Sequence, residues 1–418
     1  MTETSDQKCP VTGLEAEYDP FTEPQLSSPF SVWSAAREGC PVFRSDKLEA
    51  YVVTRFDDVV EVLGDHEQYS SVGASKGFSH LHEQARAVMA EVPPPSETDI
   101  LPNDPPRHSK MRKFMQMSFL PRRIAGLEPA IRAIAEQLLD AMEGQEKVDF
   151  YREFAYPYPL QVVMSLVGLP EEDLPRIKYW VECNMAIKWG KLEPADQLAA
   201  AEGRRDFYLY LRAFIETRKA AGEDDFVSSL VTHSEQSDDP LTEAETVGQI
   251  TSLLSAGHET TANFLTLILD TMLANPGTWE SLVADPSLIP QAIEEGLRVN
   301  GPVQSLWRTT KADTVVAGET IPSGSRVSAV LSSANRDERM FEDPDTFDLS
   351  RANARKHISF GRGIHACVGS NLARMEIRVA LELLTQRYPT LRRANDEPLT
   401  FSPSAVQRGP QELWLMLS

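Results

Sequence analysis

The stretch Phe360-Gly361-Arg362-Gly363-Ile364-His365-Ala366-Cys367-Val368-Gly369 places one cysteine among glycines, just ahead of a helical segment from Asn371 to Arg387. Glycine lets a backbone bend tightly and approach a flat ligand without a Cβ clash. A thiol at a helix N-terminus meets positive potential and free amides, which favour the thiolate. Such a sulfur can be a nucleophile, a zinc ligand or an axial ligand of iron, or a buried structural cysteine beside a turn. No second cysteine or histidine stands at zinc-ligand spacing, which argues against a structural zinc site.

Other stretches carry unusual chemistry. Thr242-Glu243-Ala244-Glu245 has the capping-box pattern and Asn275-Pro276-Gly277 is a stop. Between them lie about 34 residues, or roughly 50 Å of helix at 1.5 Å per residue. The middle of that helix, Ala256-Gly257-His258-Glu259-Thr260-Thr261, interrupts an apolar run with groups that compete for helical hydrogen bonds. A threonine bonding back to its own helix is the plainest use of such a residue. Pro290 opens another helix at its first position, and Glu295-Gly296-Leu297-Arg298 sets a Glu and an Arg three apart, a pairing usually exposed and worth little. From Pro105 to Leu127 no acidic residue occurs, against Arg107, Lys110, Arg112, Lys113, Arg122 and Arg123. In a chain of formal charge −21 that basic run is anomalous. His108 and Arg112, four apart, share one helix face.

Together these segments resemble the cytochrome P450 family. Phe360 to Gly369 matches the haem-ligand pattern Phe-x-x-Gly-x-His-x-Cys-x-Gly at every defining position. The resemblance implies that Cys367 is the thiolate ligand of a haem b iron, with Phe360 and Gly369 in its loop. Ala256-Gly257-His258-Glu259-Thr260 is similar to the oxygen-activation motif. By that match Ala256 and Gly257 leave room for dioxygen, Thr260 holds the water that delivers protons, and Glu259 relays them from solvent. His258 has no role assigned by the match. Glu295 and Arg298 match the family's Glu-x-x-Arg, whose partner would be Arg351 in Phe347-Asp348-Leu349-Ser350-Arg351, a structural ionic cluster. His108, Arg112, Arg308 and His365 fall where family members hold the haem propionates. Lys110, Lys113, Arg122, Arg123 and Arg374 would form a positive patch for an acidic electron donor. Phe78, Leu81, Met185, Val303, Trp307 and Val406 are the candidate contacts to an apolar substrate.

With 418 residues, 41% hydrophobic and 25% charged, the composition is that of a globular protein. The acidic balance disfavours nucleic acid and anionic membranes as partners. Cys9, Cys40, Cys183 and Cys367 form no disulfide framework, as expected in a reducing cytoplasm. The N-terminal MTETSDQKCPVTG has no apolar core of a signal peptide or anchor, and the apolar stretch Thr251 to Ala274 is broken by His258, Glu259 and Asp270. The expected fold is mainly α (α+β), a large helical lobe with a small β-rich lobe. A polar tail (1–20) would precede one haem domain (21–418). A hairpin is expected over 42–54, irregular chain over 70–106, small-sheet strands at 315–317 and 326–331, and a final hairpin over 402–417. The implied activity is that of a soluble, cytoplasmic haem-thiolate monooxygenase. It would insert one atom of O2 into an apolar small molecule by hydroxylation, O-dealkylation or epoxidation. Electrons would come from NAD(P)H through a reductase and an acidic ferredoxin or flavodoxin, since no GxGxxG or flavin segment is present. An H2O2-driven peroxygenase is the rival enzyme, against which Glu259 and Thr260 argue. A haem-thiolate ligand sensor is the non-enzymatic rival.

Overall fold

Helices that place the site are α1 (Arg107–Ser118), α2 (Pro157–Val167), α3 (Leu174–Trp189), α4 (Pro194–Ala221), α5 (Glu243–Ala274), α6 (Ile289–Asn300) and α7 (Ser370–Arg387). The computed structural model describes residues 13–14, 18–73, 81–190, 192–221 and 225–417. Helix α5 is the axis of the helical lobe. Its start is the capping box expected from sequence: Thr242 Oγ1 accepts from the Glu245 amide (3.1 Å), and Glu245 Oε2 accepts from the Thr242 amide (3.0 Å). Its 32 residues run unbroken through Glu259 and Thr260. Most of its circumference is buried, as befits a helix apolar on nearly all sides. Helices α2, α3, α4, α6 and α7 all pack on it, and the main core fills the spaces between them.

The β-rich lobe is a five-stranded sheet of β1 (Val42–Ser45), β2 (Ala50–Val53), β3 (Tyr69–Ser70), β4 (Ser305–Thr310) and β5 (Arg326–Val330), in the order β1-β2-β5-β4-β3. The β1–β2 hairpin lies where β-rich runs flank a polar turn, and β2 pairs with β5 in parallel. Strand β4 lies within the sheet and buries both Trp307 and Arg308, which point to opposite faces, and aligns Trp307 with Ser328. Three expectations need correction. The segment 70–106 carries two helices, Glu83–Met89 and Pro95–Thr98. The C-terminal hairpin is smaller than 402–417: Phe401–Ser402 pairs with Gly409–Pro410, whereas Trp414–Met416 joins Lys147–Asp149 and Arg392–Arg393 in a separate sheet. Cys40 is disulfide-bonded, so the cysteines are not all free; Cys183 and Cys367 are. Among the described residues no helix is long and apolar enough to cross a membrane.

The short helix Pro95–Thr98 lies against α5 at Gly248, where an added Cβ would stand 1.6 Å from the Thr98 carbonyl oxygen. No side chain fits there without moving backbone. Gly248→Ala is therefore expected to cost about 2 kcal/mol or more, read as a lowered denaturation midpoint. Gly126→Ala, whose Cβ meets nothing within 4 Å, is expected to leave that midpoint unchanged or raise it slightly.

Candidate active site

Between α5, α7 and the β-rich lobe lies a cavity of about 310 Å³ whose floor is the loop 359–369. Gly361 (φ +71) and Gly363 (φ +68) adopt left-handed backbone, and a Cβ on Gly363 would stand 2.5 Å from the Leu63 carbonyl oxygen. The Cys367 amide donates to the Phe360 carbonyl (2.8 Å), closing the loop and exposing the thiol to the cavity. Burial pushes the thiol pKa up, against the Gly369 amide and the charges of Arg112 and Arg374.

Four residues expected to contact carboxylates meet at one edge. Arg112 Nη2 donates to the Ala366 carbonyl (2.6 Å) and Arg308 Nη1 to that of Trp307 (2.8 Å). The His108 and His365 rings lie 4.1 Å apart. Both ring nitrogens of His108, Arg112 Nε, Arg308 Nη2 and His365 Nε2 are buried without a hydrogen-bond partner. Burial and neighbouring cations hold His108 down to about 4 and His365 to about 3. Asp104, the nearby carboxylate, is already engaged by Ser70, Ser71 and Lys311. Two guanidiniums and two imidazoles with open donors form a receptor for anionic oxygens.

Across the cavity, Ala256, Gly257, Thr260 and Thr261 of α5 line the wall. Thr260 Oγ1 donates to the Ala256 carbonyl (2.7 Å), the back-bonding that the sequence permits. A Cβ on Gly257 would meet Val163 Cγ2 at 3.1 Å, so its small size serves the packing of α2 on α5. Glu259 turns aside from the cavity, its Oε2 buried and unpartnered; burial and the charge of Glu182 raise its pKa to about 7. His258 is buried edge-on against Tyr156 (4.3 Å) and held down to about 3 by burial.

The cytochrome P450 family model matches residues 281–415. Cytochrome P450 107B1 of Saccharopolyspora erythraea is 35% identical over 372 residues, covering 88% of this chain and 89% of that protein. The chain is a cytochrome P450. Vitamin D(3) 25-hydroxylase of Pseudonocardia autotrophica is also 35% identical, over 96% of each chain. The solved cytochrome P450 CREJ in complex with (4-ethylphenyl) dihydrogen phosphate superposes with a TM-score of 0.91 at 30% identity, covering 96% of this chain and 99% of that one.

A P450 carries haem, and the residues present fit it: a thiol at the cavity floor and unpaired donors at its edge. Beneath the loop, Glu295 accepts from Arg298 through both oxygens (2.8 Å each), from Arg351 Nε (2.9 Å) and from the Asp348 amide (3.0 Å). Arg298 also donates to the carbonyls of Asn335, Pro344 and Thr346. Asn335 in turn holds Ile358 and Ser359, which lead into the ligand loop.

Other placements differ from expectation. Arg374 is not a free surface cation but donates to Glu294 (2.6 and 3.0 Å) and stacks on Phe360 (4.4 Å). Lys110 pairs with Glu245 and Asp239, and Arg107 with Glu245, so acids from elsewhere answer the basic run. Lys113 and Arg122 remain exposed, while Arg123 donates to Ser229. Met185, Val303, Trp307 and Val406 line the cavity. Leu81 is not among its lining residues, and Phe78 lies outside the described residues. The sequence reading missed Asp99, Lys188 and Glu376 in the wall, and the Glu294–His357 pair (3.1 Å). Glu376 is fully buried with Oε2 unpartnered, and burial raises its pKa well above the carboxylate range.

Burial opposes ionisation of Glu294, yet His357 and Arg374 hold its pKa down to about 2, from 4.5. Its charge therefore stabilises the fold above pH 4.5, and that contribution disappears as pH falls toward 2. Glu294→Gln is expected to lose roughly 3 kcal/mol at pH 7. In urea titrations the gap to the unmodified protein should narrow steadily below pH 4.5.

Proposed function

We propose that this P450 inserts one oxygen atom from O2 into an apolar small organic molecule, using haem b and electrons passed from NAD(P)H by a reductase and an acidic ferredoxin or flavodoxin. The observation that carries the reading is the set of unpaired donors on His108, Arg112, Arg308 and His365 beside a cavity floored by Cys367. Those donors suit the two propionates of haem, and the thiol suits its iron. When bound, thiolate-ligated haem supplies electron density that favours O–O cleavage. The exposed Lys113 and Arg122 suit an acidic electron donor, with fewer free cations than the sequence promised. The apolar wall at Met185, Val303 and Val406, and the name of the vitamin D(3) 25-hydroxylase relative, support an apolar substrate.

The chain's own part is to exclude water and deliver protons. Thr260 presents its hydroxyl at the cavity wall with its hydrogen parked on the Ala256 carbonyl. Glu259 Oε2, with a pKa of about 7, can hold or release a proton near neutral pH. Exposed Glu182 accepts from the Tyr156 hydroxyl (2.9 Å), and both lie in the electrostatic reach of Glu259. That proximity supports a proton route from solvent toward Glu259.

Thr260→Ala should consume NAD(P)H and release H2O2 with at least several-fold less product per NAD(P)H. Undiminished coupling removes Thr260 from the relay. Loss of product with ferredoxin and reductase but not with added H2O2 alone would favour the peroxygenase, and product from neither the sensor. The reduced, CO-bound spectrum tests the thiolate ligand separately.

A further inference from the structure

One corner of the otherwise apolar distal wall is charged. Lys188, in the last turn of α3, and Asp99, just after the helix Pro95–Thr98, both line the cavity and are 6% and 2% exposed. Lys188 Nζ lies 2.5 Å from Asp99 Oδ2, and Asp99 Oδ1 accepts from Thr98 Oγ1 (3.3 Å). Behind them Arg204 of α4, also 6% exposed, donates to Asn184 Oδ1 (2.7 Å) and has an unpartnered Nε. Asn184 donates to Ser255 Oγ (3.0 Å), and Ser255 lines the same cavity. Arg204 and Asp99 also border a void of about 10 Å³, room for one water.

The corner therefore buries two cations against one carboxylate among the described residues. Asp99 is the one acid acting on both Lys188 and Arg204, and burial weakens the charged form of each. Buried charge is retained where it is paired. Among the described residues the pairing is one negative charge short. The Lys188 ammonium has three donors, and Asp99 is the one carboxylate it pairs with among the described residues.

We infer that the substrate carries a carboxylate head, which docks on Lys188 at this corner while its apolar body extends along Met185 and Leu253 toward Thr260 and Cys367. A monoanion supplies the single missing charge; a phosphate monoester, at about −1.5 to −2, would overshoot it. A cationic head fits poorly, because the corner is net positive and Asp99 already faces the Lys188 ammonium at 2.5 Å. The inference rests on the reading of this cavity as the substrate site and deepens it.

The test is calorimetric titration of the haem-loaded protein with three isosteric probes: 4-butylbenzoate, 4-butylbenzyl alcohol and 4-butylbenzylamine. The acid is expected to bind at least tenfold more tightly than the alcohol, with the amine weakest. Lys188→Met should bring the acid's Kd to that of the alcohol, and Asp99→Asn should tighten the acid several-fold. Equal binding of acid and alcohol, tightest binding of the amine, or an unchanged preference in Lys188→Met overturns the proposal. The ranking on the unmodified protein decides the question even where a variant does not fold. The reduced, CO-bound spectrum of the same preparation reports the haem–thiolate reading independently.

Discussion

Everything at the cavity floor depends on one carboxylate. Glu295 sits in the interior with no exposure, and two guanidiniums and a backbone amide close around it. Removing any member would strand a buried charge, which is far more costly than the pair is worth on its own. The guanidiniums spend their remaining donors on five carbonyls of the irregular segment 335–346. A stretch with little regular structure is thereby fixed by charge-assisted bonds in place of a ladder. Through Asn335 and Ser359 that rigidity reaches the loop that presents Cys367.

A second acidic centre works beside the first. Glu294 binds His357 and Arg374, and Arg374 covers Phe360 at the entrance to the same loop. Adjacent carboxylates on α6 thus brace different stretches of one ligand loop, Glu295 through the preceding meander and Glu294 from the loop's two ends. The long helix supplies the opposite wall, and part of its polar centre is satisfied locally. Thr260 and Thr261 satisfy themselves on their own helix, and His258 is neutral and packed on Tyr156.

Much of this was legible in the chain. The capping box at Thr242, the glycines around Cys367, and the Glu295–Arg298 spacing each encode local geometry that survives folding unchanged. What could not be read were relations between distant segments. Nothing near Lys110 foretells Glu245, and nothing near Lys188 foretells Asp99 or Arg204, because those pairs are brought together by helix packing. Gly257 was read as space for a ligand; it lines the cavity, and the contact that a side chain there would make with Val163 could not be read. The C-terminal strands were paired with each other by proximity in sequence, while Trp414–Met416 found partners more than two hundred residues away at Lys147–Asp149.

The seat of Thr98 on Gly248 has a consequence for the charged corner. With no Cβ between them, the Thr98 carbonyl packs directly on α5, and Asp99 follows it in the chain. The two sides of the charged corner thus come from different elements: Asp99 from the segment seated on the long helix, and Lys188 from the last turn of α3. An anion docking at this corner shares the Lys188 ammonium with Asp99 rather than meeting a free cation.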